Sequence, residues 1–377
     1  MNSMTVLKLV LTFLVSGGVS YFATPLVKKF AYVIGAIDVP KDSRRMHKNP
    51  IPRLGGLAIF LGFLIALLIF GTTDRLMVSI LIGSLIIVTL GVLDDIMNLP
   101  ASLKFVVQII ASLIPVFYGG LRIEFFTDFV NPGRYININL FSIPVTILWI
   151  VGLTNAVNWI DGLDGLAVGV STISAVSLFV VTICTNDPYV ALVMLALSGA
   201  CLGFLPYNRN PAKIFMGDTG SEFLGFLLAC MSIQGLFKFY AVISFAVPFL
   251  ILGLPIFDMV SSIFRRIKAG KSPAAADREH IHHKLIDMGF SQKQAVAILY
   301  VITAILGIIA IVLSLCGAIW ALLILLVLLI VGVIFFRLFL RTGKKDDSIP
   351  KTSSEQNLSS LPDTRSEDSF SETEKND

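Results

Sequence analysis

Apolar runs close to the length of a bilayer crossing recur along nearly the whole chain, and any fold must be built around them. About 20 apolar residues in a helix span the hydrocarbon core. There, only helices and closed barrels satisfy every backbone group. Eleven runs read as spans, at approximately 4–26, 54–71, 75–93, 103–120, 142–157, 166–184, 188–206, 221–236, 238–257, 294–314 and 318–340. Hydrophobic residues make up 55% of the 377 and charged ones only 14%, with mean hydropathy +0.85. A soluble chain of this length would need far more polar surface to cover its core. The first run has Lys8 as its one early cation, stays apolar through Phe22 and shows no small-residue cleavage site, so it reads as a spanning helix. The expected fold is an all-α, polytopic membrane helical bundle of about eleven transmembrane helices.

Segment 121–141 is too polar to span. It alternates through Arg134, Tyr135, Ile136, Asn137, Ile138 and Asn139 and contains Pro132-Gly133, which predicts a small hairpin outside the membrane. Cys184, Cys201, Cys230 and Cys316 lie in or beside apolar runs without metal-ligand spacing and read as reduced packing residues.

The cations set an orientation. One set of alternate loops holds Lys28, Lys29, Lys41, Arg44, Arg45, Lys48, Arg53, Lys104, Arg209, Lys213, Arg265, Arg266, Lys268, Lys271, Arg278, Lys284 and Lys293, and Arg337, Arg341, Lys344 and Lys345 follow the last run. The opposite set holds Arg75, Arg122, Arg134 and Lys238 beside the early Lys8. The positive-inside rule then puts the N-terminus outside and the C-terminus in the cytoplasm. Residues 1–342 form the membrane domain. The tail, 343–377, is rich in Ser, Thr, Asp, Glu and Lys and reads as a disordered cytoplasmic segment.

Five polar stretches, 41–56, 91–104, 154–165, 207–221 and 258–284, all fall on the cytoplasmic side of this map. Loop solvation alone would serve both faces, so the asymmetry predicts one active site at the inner surface. Asp94-Asp95 ends the third run. Adjacent carboxylates at a membrane boundary repel and need a cation, a metal or water; a solvated helix end is the plain alternative. Lys104 follows as a site cation or as a positive-inside anchor. Asn155, Asn158 and Asp161 recur at helical steps of three, and Asp161-Gly162-Leu163-Asp164-Gly165 continues into a turn. A cap explains one such residue, not four, and oxygen donors suit a hard cation such as Mg²⁺.

Asn208 to Ser221 leads into the eighth run. Its Gly217-Asp218-Thr219-Gly220 turn could cap a helix or offer N–H groups to phosphate. The Walker spacing is missing. Phe215 reads as an interfacial side chain or as a platform for a nucleobase. Asp277 to Lys284 gathers His280, His282 and His283, three of the four histidines. The cluster suggests zinc, but no Cys accompanies it, and beside a pyrophosphate His and Arg would stabilise charge. Residues 257–269 mix apolar side chains with Arg265, Arg266 and Lys268, as a helix along the interface would. Ser291 and Gln294 form a capping-box pattern. In the stretch from His47 to Gly56, Arg53 reads as a phosphate contact or as a topology anchor.

These five clusters, in this order, resemble the polyprenyl-phosphate N-acetylhexosamine-1-phosphate transferases (glycosyltransferase 4 family). That family includes the bacterial phospho-MurNAc-pentapeptide translocase and the eukaryotic dolichyl-phosphate GlcNAc-1-phosphotransferase. The resemblance covers roughly residues 1–340. The His-Ile-His-His order at 280–283 is similar to the teichoic-acid and enterobacterial-common-antigen branch, which uses UDP-GlcNAc, whereas the translocase branch carries three successive histidines. The resemblance implies transfer of GlcNAc-1-phosphate from UDP-GlcNAc to undecaprenyl phosphate, giving undecaprenyl-diphospho-GlcNAc and UMP. This would be the first membrane step of a cell-wall or surface polysaccharide pathway, at the plasma membrane. It implies Mg²⁺, with Mn²⁺ as a substitute, held by Asp218 with Asn158 or Asp161. Asp94 would contact or deprotonate the lipid phosphate, Asp95 support the metal region and Lys104 hold phosphate. Phe215 would stack on uracil with Asn208 and Asp164 nearby, and Arg278, His282 and His283 would clamp the diphosphate. Asn155, His280 and Arg53 complete the expected substrate contacts. A homodimer is compatible with this reading, and nucleic acid has no place in it. Another UDP-HexNAc donor, including a MurNAc-pentapeptide, remains an alternative within the class. A lipid or sugar transporter is the alternative of another class, but the acidic clusters have no counterpart on the opposite face. A scaffold would have no use for one-sided acids, amides and histidines.

Overall fold

The structure is a computed structural model that describes residues 3–39, 50–127, 135–236, 242–272 and 280–315. Twelve α-helices make up most of it: α1 (Ser3–Ile34), α2 (Gly55–Phe70), α3 (Arg75–Met97), α4 (Ala101–Leu113), α5 (Ser142–Ile160), α6 (Leu166–Cys184), α7 (Pro188–Asn208), α8 (Gly217–Leu236), α9 (Val242–Ile251), α10 (Gly253–Lys268), α11 (Ile281–Asp287) and α12 (Gln292–Leu315). A wider-wound turn, Ile114–Tyr118, continues α4 past the point where Pro115 interrupts the hydrogen-bond ladder.

Among the described residues seven helices are long and apolar enough to cross a membrane. They match seven of the expected runs. Of the rest, 54–71 forms the 16-residue α2, 221–236 lies within α8, and 318–340 and the tail 343–377 lie outside the described residues, as do His47 and Arg278. The expectation of one unbroken span over 238–257 needs correction. The helix breaks at Leu252 between α9 and α10, where Pro255 follows Gly253 at the start of the second piece. From there α10 runs to Lys268. It buries Asp258, Ser262 and Arg266 on one face and exposes Val260, Phe264 and Ile267 on another.

The hub is α8, which packs on α3, α5 and α2. Phe223, Phe226, Leu227, Ala229 and Met231 are shut away from solvent on several of its sides, as expected of an inner helix. Around it α1 packs on α2 and α7, and α6 packs on α7 and α12. Large apolar side chains on the outer helices, among them Phe22, Leu26, Leu68, Leu148 and Val301, stand exposed, as a lipid-facing surface requires. The ends of α3, α5 and α7 meet the starts of α4, α6 and α8, so the polar clusters at those ends converge.

The expected hairpin is present as an antiparallel pair, β3 (Phe125–Thr127) with β4 (Tyr135–Asn137). A second pair, unforeseen from sequence, joins β1 (Ile37–Asp38) to β2 (Ile51–Pro52). Its continuation bridges Arg53 to Phe215.

Candidate active site

Asp94 and Asp95 share the last turn of α3 but perform different work. Asp95 is 4% exposed and faces the start of α8. It accepts hydrogen bonds from the N–H groups of Asp218 (3.0 Å) and Thr219 (3.1 Å) and from the Thr219 hydroxyl (2.7 Å). A carboxylate from a neighbouring helix thus satisfies N–H groups that α8 leaves open in its first turn. Gly217 makes this approach feasible. Its φ is +73°, and a Cβ there would lie 2.4 Å from Asp95 Oδ2. Gly217→Ala is therefore expected to lower stability by roughly 2 kcal/mol, read as a fall in thermal unfolding temperature of the detergent-solubilised protein. An unchanged temperature would remove the contact from consideration.

Asp94 faces the other way. Its Oδ1 accepts from the Leu99 N–H at 2.6 Å, and its Oδ2 lies 2.7 Å from Lys104 Nζ on α4. The same ammonium lies 2.5 Å from Asp218 Oδ2 and 3.1 Å from Glu222 Oε1, both on α8. Asp94, Asp218 and Glu222 offer oxygens within 4.8 Å of one another, the only such metal-capable group among the described residues. Lys104 already supplies positive charge at its centre. On the far side Asp218 Oδ1 accepts from Asn158 Nδ2 at 3.0 Å, and the same amide nitrogen donates to Ser221 at 2.9 Å. One turn earlier on α5, Asn155 donates to Gln108 on α4 at 2.6 Å and to the Val151 carbonyl, so it links two helices.

Past the end of α5, Asp161 lines a cavity of about 740 Å³ together with Asp95, Asp164, Asn208, Phe215, Asp218, Arg53 and His283. Burial, added to by the charges of Asp218, Asp95 and Asp164, pushes the Asp161 carboxyl up to about 8. Asp38 is a fifth acid in the lining, beside Arg53; the mutual repulsion of Asp161, Asp95, Asp164 and Asp218 is one that a divalent cation would relieve. Asp164 Oδ2 accepts from Asn210 (2.9 Å) and from the Ala212 N–H (3.0 Å). Asn208, 3% exposed, accepts from the Gly165 N–H and donates to the Ile214 carbonyl. It therefore ties the 162–166 turn to the 208–215 turn. Phe215 sits at the cavity wall, with its backbone hydrogen-bonded to Pro52 and Gly55. Arg53 Nη2 lies 4.0 Å from Asp38.

The histidines approach from α11. His280 Nδ1 lies 2.7 Å from Asp258 Oδ2, and Asp258 Oδ1 accepts from the Ile281 N–H at 2.8 Å. Asp258 on α10 thus anchors the start of α11. The His280 ring stacks on His282 at 5.6 Å, and His283 follows at 4.3 Å. His282 is 2% exposed, with neither ring nitrogen hydrogen-bonded. Burial, with His283 and His280 beside it, pushes its pKa down to about 3 against the opposing pull of Asp258. A pKa held this low makes the ring a hydrogen-bonding group and not a cation at neutral pH. It lies so close over Gly162 that a Cβ there would be 2.1 Å from Nε2.

The structure thus gathers Asp94, Asp95, Lys104, Asn158 and Asp218 in direct contact, with Asp161, Asp164, Asn208, Phe215, Arg53 and His283 around the adjoining cavity. Asn155 and His280 stand behind them, each held by a neighbouring helix. Glu222, Asp258 and Gln108 belong to the same network and were not among the expected residues. Gln108 is a polar residue inside the apolar α4, where such placement is itself a signal, whereas Glu222 and Asp258 stand at the edges of the polar stretches 207–221 and 258–284.

The family model for glycosyl transferase family 4 matches residues 77–236, which contain nearly all of α3, the whole of α4 to α8 and most of these groups. A probable undecaprenyl-phosphate N-acetylglucosaminyl 1-phosphate transferase of Bacillus subtilis is 41% identical over 80% of this chain and 84% of its own. The chain belongs to glycosyl transferase family 4. Within that family, a decaprenyl-phosphate N-acetylglucosaminephosphotransferase of Mycobacterium leprae is 33% identical over 79% of this chain and 82% of its own. A phospho-N-acetylmuramoyl-pentapeptide-transferase of Clostridium beijerinckii is 31% identical over 81% and 95%.

Proposed function

We propose that this family member transfers GlcNAc-1-phosphate from UDP-GlcNAc to undecaprenyl phosphate at the cytoplasmic face of the plasma membrane. The names of the B. subtilis and M. leprae relatives support the reaction class. The one-sided cations support the orientation, with the N-terminus outside and the tail in the cytoplasm. The observation that carries the reading is Lys104 held between Asp94 and Asp218 beside a cavity lined by five acids.

The chemistry follows from charge. An oxygen of the lipid phosphate attacks the sugar-linked phosphorus, the bond to the UMP oxygen breaks, and the sugar phosphate stays on the lipid. A phosphate monoester with second pKa about 6 is mostly dianionic at neutral pH, so no strong base is required. Asp94, with both oxygens engaged, serves to hold Lys104 at the attacking phosphate. Lys104 neutralises charge that both substrates bring together. Phe215 offers its ring to uracil, Asp164 marks that end of the cavity, and Arg53, Arg278 and the neutral His282 with His283 take the diphosphate oxygens. The residues that would hold Mg²⁺ are Asp218, Asp161 and the amide oxygen of Asn158. This all-oxygen set suits a hard cation, and the crowded state of Asp161 fits a place for one. The metal would supply charge neutralisation at the diphosphate. EDTA is expected to stop UMP release, with Mg²⁺ or Mn²⁺ restoring it; turnover persisting in chelator would remove the metal.

The C. beijerinckii relative favours a second donor, UDP-MurNAc-pentapeptide. Against it stand the higher identity to the B. subtilis and M. leprae relatives and the His280-Ile281-His282-His283 order. Purified protein with undecaprenyl phosphate and a panel of UDP-sugars, scored by UMP and lipid-product mass, tests the reading. UDP-GlcNAc should be the preferred donor, and product only from the pentapeptide donor would overturn it.

A further inference from the structure

A second cavity lies behind the donor cavity, and the proposed reaction does not use it. Both α7 and α12 pack on α6, with no comparable contact between themselves, so α6 floors a groove between them. At the cytoplasmic mouth assigned from the cation pattern, this groove opens into a cavity of about 630 Å³. Its walls are apolar, including Leu205, Val296 and Tyr300, whereas its rim carries Arg209, Lys213 and Lys293. All three cations are exposed. Among the described residues none of them has a carboxylate within ion-pair distance. The one acid in the lining, Asp164, spends Oδ2 on Asn210 and the Ala212 N–H.

A pocket with an apolar wall and three unpaired cations at the membrane surface fits an amphiphile with an anionic head. A soluble anion would have no use for the apolar wall. A zwitterionic lipid would leave the cations uncompensated. We propose that this cavity binds the headgroup of an anionic phospholipid, with its acyl chains lying in the α7–α12 groove. The site adjoins the donor cavity. Asn210 donates to Asp164 and, at 2.6 Å, to Gln292, and these three residues form the partition between the two spaces. The proposal concerns binding alone and does not depend on which donor sugar the protein uses.

Native mass spectrometry of the full chain in detergent, titrated with phosphatidylglycerol or phosphatidylcholine, tests it. The protein should retain phosphatidylglycerol in preference. Arg209→Gln and Lys293→Gln should each weaken that retention about fivefold without changing phosphatidylcholine binding. Lys271→Gln, an exposed cation away from the cavity, should leave retention intact, and excess inorganic phosphate should not displace the lipid. Equal retention of the two lipids, or an equal loss in Lys271→Gln, would reduce the effect to diffuse surface charge and overturn the site. Displacement by phosphate would assign the cavity to a soluble anion and overturn it equally.

Discussion

Asp218→Ala is expected to abolish UMP release while leaving the bundle folded. Asp218 is where the two halves of the site meet. One oxygen faces Lys104 at 2.5 Å and the other the Asn158 amide at 3.0 Å, and the residue opens α8 at the wall of the donor cavity. Its removal deletes the acid best placed to hold a metal and leaves Lys104 biased toward Asp94 and Glu222. The fall should reach at least about 10³-fold, the scale seen when one preorganised electrostatic group is lost. Stability should change little, because Lys104 keeps two carboxylates and the Asp95 hydrogen bonds to the start of α8 use backbone and Thr219. Asp218→Asn, which keeps the shape and removes the charge, should fall as far. The measurements are UMP release with undecaprenyl phosphate and UDP-GlcNAc, and elution with thermal unfolding in detergent. Turnover within tenfold of wild type in either variant would remove Asp218 from the metal and the metal from this place.

How far the sequence reaches is clear at individual positions. The helices were legible because an apolar run of bilayer length permits little else, and Ser291 with Gln294 marks the start of α12 by the reciprocal hydrogen bonds it makes. The break at Leu252 was not legible, since Pro248 and Pro255 kink or pass through a helix according to what packs beside them. The convergence of the clusters was readable from alternation of loops, but the division of labour was not. Asp94 and Asp95 are chemically identical neighbours, and only the direction each faces makes one a partner of Lys104 and the other a cap for α8. Asn155 and Asn158 stand one turn apart, yet one ties helices together and the other touches Asp218. Periodicity assigns a face; it does not say which atom of the opposite helix arrives there. Glu222 escaped attention in the first turn of an apolar run, where an acid reads as complementing the helix dipole. A carboxylate fully shut from solvent in such a run demands a named counter-charge, and that rule would have led to Lys104.

Lys104→Met is the second large effect, and it should appear in two measurements at once. Among the described residues Lys104 is the one cation in contact with Asp94, Asp218 and Glu222. Glu222 is 0% exposed, so without Lys104 it is a buried charge without compensation. Breaking a buried pair by removing one partner costs about 3–5 kcal/mol, and a clear drop in thermal unfolding temperature should follow. Activity should fall at least about 10²-fold, because the group proposed to meet the lipid phosphate is gone. The two effects separate in a second variant. Adding Glu222→Gln to Lys104→Met removes the most buried of the three carboxylates left without their cation, so the double variant should regain part of the lost stability and none of the lost activity. A Lys104→Met protein as stable as wild type would mean that water or a proton already neutralises Glu222. A double variant no more stable than the single would break the link between the two residues. Recovery of turnover in the double variant would show that Lys104 acts only by neutralising Glu222, and the phosphate contact would have to be sought elsewhere in the cavity.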